Sequence, residues 1–463
     1  MDETTRPAVV STLASAALLA GTACAFVDLL TDAHLFAGCA IAFIVAHIVM
    51  RWKYVRVNAR LLLVLAALSA AILISVGGRL DSLGLAASRA LYLPALLTVM
   101  TLLRVAALRS DIVGTAARFA VDQPPSRRFF LLAGGSHIFG ILLNLGGLQL
   151  LLGIAMAVRV RNTPSPAIAE MQARRITNAV LRGFGATILW SPVGLAINLL
   201  IPIMPSLDYV SYLPYGLFSA VVFIALGWIF DRLEPAPRRR FVPAPHGGAG
   251  LAMTALLALL LAITGISALA EASMGVPMRT AILIVIPTMA VIWVFLTEPS
   301  PFAPNLKSLA RDGFRALPES TNEICLIGSS AFLGLTLVEL LPADQLRVLV
   351  EQIAVGPGTI ACGIIVLMTV LGQIGLSPMI TALLCTGAVV AAGIDMPETM
   401  LMLAVMCGWS GSMLLSPFAS TLAVAMGMTG KLSREVGLHW NGPFVLAYYA
   451  VVIAALLIAN TFF

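Results

Sequence analysis

Charged residues are scarce in this sequence of 463 residues. Lys, Arg, Asp and Glu make up 11% of it, whereas apolar residue types make up 60%, and the mean hydropathy is +0.99. Soluble domains carry about 25% charged residues, so the composition excludes an ordinary soluble fold. Apolar stretches long enough to cross hydrocarbon, about 18 residues or more, recur along the chain. Because lipid cannot satisfy free backbone N–H and C=O groups, we predict an all-α polytopic membrane protein.

Several chemical motifs are also missing. The chain has no GxxxxGK[ST] sequence, which excludes an ATP-driven module of that type, and no HExxH metal motif. Its six cysteines stand singly within apolar segments, which argues against a disulfide framework or a Cys-x-x-Cys metal site; they are Cys24, Cys39, Cys325, Cys362, Cys385 and Cys407. The predicted external loops are short, which disfavours an intramembrane enzyme. We predict no catalytic residues.

The basic residues are distributed unevenly, and this asymmetry predicts the topology. If the amino terminus is cytoplasmic, 23 of the 28 Lys and Arg residues lie in cytoplasmic segments, three lie outside, and Arg89 and Arg182 lie within helices. Such a bias orients membrane proteins. It predicts eleven crossings of a bacterial inner membrane, with Arg240 cytoplasmic and Phe463 periplasmic, and a retained first helix. It also explains the net charge of +6 without a nucleic-acid partner. The predicted crossings are 9–30, 33–50, 59–77, 83–104, 178–204, 209–230, 249–270, 279–297, 321–341, 398–427 and 440–462.

Two stretches align without gaps at an offset of 225 residues. Ala179–Pro192 and Ala404–Pro417 share six identical positions, among them a glycine and a Ser-Pro pair. Each is preceded by a helix, an amphipathic segment and a long interrupted apolar segment, and is followed by one last helix. Because five crossings is an odd number, the second repeat must be inverted relative to the first, as in many secondary transporters. The predicted units are a leading helix (1–32), repeat 1 (33–231), a cytoplasmic linker (232–248) and repeat 2 (249–463).

Four interrupted segments are the predicted location of binding. Segments 129–158 and 358–394 carry Gly and Ser-Pro turn signals at their centres, so we predict re-entrant hairpins. Segments 178–204 and 398–427 contain Gly, Ser and Ser-Pro, so we predict broken helices. Broken helices expose amides that suit a carboxylate and carbonyls that suit Na⁺. Close packing at Gly and Ser explains any single position, but it does not explain four interruptions in symmetric places.

The candidate site residues follow from these interruptions. No Asp or Glu lies at mid-depth in the hairpins or broken helices, which favours Na⁺ over proton coupling. Arg182 is either an anion partner or a headgroup contact, and His137 is either a proton carrier or a structural histidine. Arg89 and Glu339 are candidates for mutual pairing. The predicted substrate-binding residues are Asn144, Gly146, Arg182, Thr187, Ser377, Pro378 and Ser412, and the predicted Na⁺ ligands are Gly183, Ser191, Gly408 and Ser416.

The order of elements resembles the ion transporter superfamily, which includes divalent-anion/Na⁺ symporters, the large membrane subunit of TRAP transporters and arsenite antiporters. The symporters have one leading helix and two inverted five-helix units, and they carry Ser-Asn-Thr at their hairpin tips. Here only Asn144 and Ser377 match that motif. The resemblance implies a dimeric, elevator-type, Na⁺-coupled carrier that takes up a small organic anion such as a carboxylate. The alternatives are a cation/H⁺ antiporter or anion exporter of the same fold and, in another class, an assembly or channel subunit.

Overall fold

The chain folds into helices, and the computed structural model contains no strand within the residues it describes, which are 5–31, 35–76, 80–160, 165–234, 248–298, 301–353 and 355–459. Over these residues nine helices are long and apolar enough to span a membrane, or ten if one bent pair counts as a span. The predicted all-α polytopic fold is confirmed, and these numbers are compatible with about eleven crossings. Arg240, Phe463 and most of the predicted linker lie outside the described residues.

Twenty α-helices are numbered here in chain order. Most of them match the predicted segments to within a few residues. Helix α13 was not predicted, because its residues lie between the predicted crossings 279–297 and 321–341 and include the basic residues Lys307, Arg311 and Arg315. Its apolar residues recur at helical spacing, which produces an amphipathic helix. The α-helices are α1 Thr5–Thr31, α2 Leu35–Met50, α3 Val57–Ser75, α4 Leu80–Arg109, α5 Asp111–Val121, α6 Pro125–Leu143, α7 Leu145–Ala155, α8 Pro166–Gly185, α9 Leu195–Leu200, α10 Tyr209–Leu233, α11 Ala249–Met274, α12 Met278–Thr297, α13 Phe302–Ala316, α14 Thr321–Glu339, α15 Ala343–Ile353, α16 Pro357–Gln373, α17 Pro378–Ala391, α18 Glu398–Leu415, α19 Ser420–Thr429 and α20 Gly442–Ala459.

All four predicted interruptions are present. Helices α6 and α7 meet at Asn144, whose φ of 53° is in the left-handed region that non-glycine residues rarely adopt. Helices α16 and α17 are separated by residues 374–377. Helix α8 tightens into a 3₁₀ turn, Ala186–Leu189, before α9 begins, and the four residues 416–419 separate α18 from α19. Each hairpin and each broken helix therefore breaks where the glycine and Ser-Pro signals indicated.

The helices pack in two groups. In the first group α4 contacts α1, α12 and α14, and α3 lies against α14. In the second group the hairpin helices α6 and α16 pack on the broken helices α8 and α18, and α10 packs on α20. Three contacts join the two groups. Helix α14 contacts α17, the second helix of its hairpin, and α4 contacts α9, the second part of the first broken helix. Helix α11, which packs on α12, contacts α5, which packs on α6.

Corresponding helices of the two halves contact each other. Helix α4 packs on α14, α8 on α18 and α10 on α20. The Ser410 hydroxyl donates a 2.9 Å hydrogen bond to the Gly185 carbonyl, and these two residues are counterparts at the 225-residue offset. A residue that contacts its own counterpart lies next to a two-fold axis, so the axis that relates the halves passes between the two broken helices.

The last helices of the halves run in opposite directions. The Ser219 hydroxyl of α10 is 2.7 Å from the Tyr448 hydroxyl of α20, and the Phe223 and Phe444 rings lie 4.8 Å apart. At the 225-residue offset, 219 corresponds to 444 and 223 to 448, so the two contacts are reciprocal, as across a two-fold axis. Because the earlier residue of α10 contacts the later residue of α20, the helices are antiparallel. This is the arrangement that inverted repeats require.

Candidate functional site

The end of α16 lies directly against the end of α18. Gly372 approaches the Ser412 hydroxyl so closely that a side chain at this position would collide with it. The Ser416 hydroxyl donates to the Gly372 carbonyl at 2.7 Å and accepts the Phe418 N–H at 3.2 Å. One predicted ligand, Ser416, therefore joins the second hairpin to the second broken helix through neutral oxygen atoms.

Two buried polar atoms beside this junction have no hydrogen-bond partner in the described part of the chain. They are the Ser412 hydroxyl oxygen and the Gln373 amide nitrogen, and Ser412 is fully buried. A buried polar atom without a partner costs about 1–3 kcal/mol, so a ligand that satisfies these atoms stabilises the site. We did not predict Gln373. The signal was present, because it is the single amide or charged side chain in residues 358–394.

The tip of the second hairpin combines this polar junction with an exposed apolar surface. Ile374 is 72% exposed and Phe418 is 68% exposed, and the Phe418 ring covers Gly375, which has a φ of 96°. Ser377 and Pro378 complete the turn, with Ser377 half-buried and Pro378 at the first position of α17. Irregular backbone at membrane depth is tolerated only in protein or beside water, so this tip borders a wet cavity if it lies at midplane.

In the first half, α6 packs equally closely on α8. Gly183 lies so near the Ala133 carbonyl that a side chain at this position would collide with the α6 backbone. The Thr187 hydroxyl donates to the Phe184 carbonyl at 2.7 Å. The Ser191 hydroxyl is buried, and the described residues offer it no hydrogen-bond partner. Each broken helix thus contains one bonded and one unbonded hydroxyl at the predicted positions.

His137 connects the first hairpin to the first broken helix. Its Nδ1 is 3.2 Å from the Gly183 carbonyl, so this nitrogen carries the proton, and its Nε2 accepts the Trp190 indole N–H at 2.9 Å. The ring also stacks on Trp190, with 5.7 Å between centroids. A neutral imidazole satisfies both contacts, whereas a second ring proton would oppose the indole N–H. The geometry favours a structural histidine.

Arg182 is buried and held by acceptors of the protein itself. Its guanidinium donates to the Asn441 side-chain oxygen at 3.2 Å and to the carbonyls of Gly227 and Trp440 at 3.1 and 3.3 Å. The Phe444 ring lies 4.4 Å from the guanidinium carbon. Because Arg182 is only 1% exposed, it does not contact lipid headgroups.

The remaining predicted residues fall into two separate groups. Asn144 and Gly146 form the first hairpin tip, and Gly146 lies near the side chain of Arg104 in α4. Gly408 packs against α16 at Met368, in the second half. The hydrogen bond between Ser410 and Gly185 connects the two halves at the axis.

Within the described ranges, no group of three or more His, Cys, Asp or Glu side chains is placed to hold a metal ion. The oxygen atoms gathered at the two breaks are hydroxyls and carbonyls. Such neutral oxygens suit Na⁺ and leave transition metals without their preferred nitrogen or sulfur ligands.

Comparison with known proteins finds a common fold and no close relative. No protein-family model matches the chain, and no curated protein matches it. The Alcanivorax borkumensis YdaH transporter superposes with a TM-score of 0.51 at 16% identity, covering 79% of this chain and 85% of that one. Neisseria gonorrhoeae MtrF, described with a class of antimetabolite efflux pumps, superposes with a TM-score of 0.51 at 14% identity, covering 77% and 80%. The likeness shows a membrane-transporter fold; the resemblance to the ion transporter superfamily remains a prediction.

Proposed function

We propose that this protein is an elevator-type secondary transporter that couples Na⁺ to the uptake of a small organic anion. The observation that carries the proposal is the pair of buried hydroxyls without partners, Ser191 and Ser412, one in each broken helix. Na⁺ bound by hydroxyl and carbonyl oxygens satisfies such groups. No buried carboxylate is required, in keeping with the absence of Asp and Glu from mid-depth in the hairpins and broken helices.

The anion would bind beside the ions, between the hairpin ends and the helix breaks. Bound Na⁺ adds positive charge next to Ser377 and Ser412, and the Gln373 amide offers an unused donor. The exposed Ile374 and Phe418 favour a carboxylate attached to an apolar body. Because Na⁺ and anion attract each other, each raises the affinity for the other by the same factor.

The elevator movement would displace one packing group relative to the other. The group with α8, α10, α18 and α20 contains both hairpins, and the group with α1, α4, α12 and α14 is the proposed scaffold. The resemblance to the ion transporter superfamily also implies a dimer. Two copies would associate through the scaffold, surrounded by lipid in a bacterial inner membrane. Crosslinking of the protein in native membranes is the test of the dimer.

Export is the second candidate, because MtrF is described with antimetabolite efflux pumps. In that case a proton gradient replaces the Na⁺ gradient, and the carrier works as an antiporter. His137 and Glu339 are then the candidate proton carriers. The hydrogen bonds of His137 on both nitrogens favour the Na⁺-coupled alternative.

The test is uptake by proteoliposomes containing the purified protein. Radiolabelled acetate, succinate and benzoate are supplied under an inward Na⁺ gradient, an outward proton gradient or neither. We expect at least one anion to accumulate under the Na⁺ gradient, and Ser416→Ala to abolish that accumulation. Movement driven by the proton gradient alone would support the antiporter instead.

A further inference from the structure

A polar cavity lies apart from both helix breaks. It has a volume of about 200 Å³ and is bordered by the end of α1, the first half of α4 and the start of α12. Arg89, Arg279, Asp28, Ser88 and Tyr92 contribute its polar lining. Pockets for drug-sized ligands measure about 300–1,000 Å³, so this cavity suits a small anion or one end of a larger ligand.

The lining supplies hydrogen-bond donors that suit an anion. Two guanidinium groups, those of Arg89 and Arg279, line the cavity beside one carboxylate, that of Asp28. Asp28 is buried and accepts the Ala37 N–H at 3.0 Å and the Ser88 hydroxyl at 2.5 Å. Glu339 of α14 acts electrostatically on Arg89 from outside the lining.

A chain of hydrogen bonds leads from this cavity to the first helix break. The Tyr92 hydroxyl donates to the Asn198 side-chain oxygen at 3.0 Å. The Asn198 amide nitrogen then donates to the carbonyls of Pro192 and Gly194, at 2.5 and 2.9 Å. The Asn198 side chain therefore caps the first break: it donates to the Pro192 carbonyl and, together with the Asn198 backbone N–H at 3.4 Å, to the Gly194 carbonyl. A hydroxyl has one proton to donate, so a bound anion would compete with Asn198 for Tyr92.

We propose that this Arg89 cavity is an anion subsite that binds the carboxylate group of the transported molecule before it reaches the helix breaks. The identity of the bound group rests on the proposed function, whereas the anion site itself rests on the lining alone. Binding there draws the Tyr92 hydroxyl towards the anion and releases Asn198, which loosens the cap on the first break. Occupation of the subsite is thereby linked to movement of α9.

The test is equilibrium binding of radiolabelled benzoate to the purified full-length protein in choline chloride, without Na⁺. We expect saturable binding that unlabelled benzamide, the neutral analogue, does not displace. Arg89→Gln should weaken it about tenfold, the loss of one charge-assisted hydrogen bond. Arg89→Lys should weaken it less, and Tyr92→Phe should also weaken it. The control Arg347→Gln removes an exposed cation from α15 and should leave binding unchanged.

Three results overturn the subsite: no saturable benzoate binding, equal displacement by benzamide, or wild-type affinity in both Arg89→Gln and Tyr92→Phe. The proposed function fails separately. If Na⁺ never drives uptake but benzoate binding still depends on Arg89, the subsite stands and the Na⁺-coupled function does not.

Discussion

At the residue scale, the candidate site is a small set of neutral hydroxyls and amides. The sequence indicated Ser412 and Ser416 because they stand at a Ser-Pro interruption, and both lie at the contact between α16 and α18. Gln373 was visible as the single amide in residues 358–394, but its unbonded state and the exposed ring of Phe418 were not. Whether a side chain finds a partner depends on residues distant in sequence, so local patterns could not reveal it.

The first prediction concerns these oxygens. Ser416→Ala and Asn144→Ala should each abolish transport while expression and folding stay near normal. Each removes a polar partner from a site without spare charge, where an unsatisfied group costs about 1–3 kcal/mol. The control is Thr288→Ala, which removes an exposed hydroxyl bonded to its own helix. Wild-type transport rates in both variants would place the site elsewhere.

The second prediction uses a substitution of His137 to distinguish Na⁺ coupling from proton coupling. Glutamine can donate to the Gly183 carbonyl or accept from the Trp190 indole, but it cannot carry a titratable proton. His137→Gln should therefore retain substantial Na⁺-driven uptake in proteoliposomes, with a similar dependence on external pH. Complete loss of transport in a folded variant would support the proton-carrier interpretation.

At the element scale, the interruptions were predictable and the packing partners were not. Gly, Ser-Pro and apolar length determine where a helix can break, which is why Asn144 and the α18–α19 break were found. Which faces come together depends on long-range packing. Helix α13 was missed because its basic residues suggested a loop, whereas its apolar positions bury Leu309.

The third prediction tests the close contact between α8 and α6. In Gly183→Ala the added methyl group collides with the Ala133 backbone, which cannot move without shifting α6. Overpacking of this kind costs about 1–3 kcal/mol, so the thermal midpoint in detergent should fall. Gly134→Ala in α6 is the control, because no atom lies within 4 Å of its added carbon. Equal midpoints for the two variants would contradict the packing.

At the scale of the whole molecule, two antiparallel halves meet at an axis between their broken helices. The 225-residue offset found in the sequence reappears as the contact between Gly185 and Ser410. The repeat was visible because both halves retain the Gly and Ser-Pro pattern. The Arg89 cavity was not visible, since α1, α4 and α12 are distant in sequence and supply one, three and one of its polar residues, respectively.

The fourth prediction concerns orientation. The charge asymmetry places Arg240 in the cytoplasm and Phe463 in the periplasm. Fusions of alkaline phosphatase or a fluorescent protein at these positions should report opposite sides of the membrane. Reporter activity on the same side for both would exclude the eleven-crossing topology.

The central claim is that the two breaks bind Na⁺, and it can be tested without knowing the substrate. The thermal midpoint of the purified protein is measured in NaCl and in choline chloride at equal ionic strength. A ligand that binds the folded state stabilises it by mass action, so Na⁺ should raise the midpoint of the wild type. The increase should shrink in Ser191→Ala and in Ser412→Ala and persist in Thr288→Ala. Identical midpoints in the two salts, or an equal Na⁺ effect in all variants, would contradict the claim.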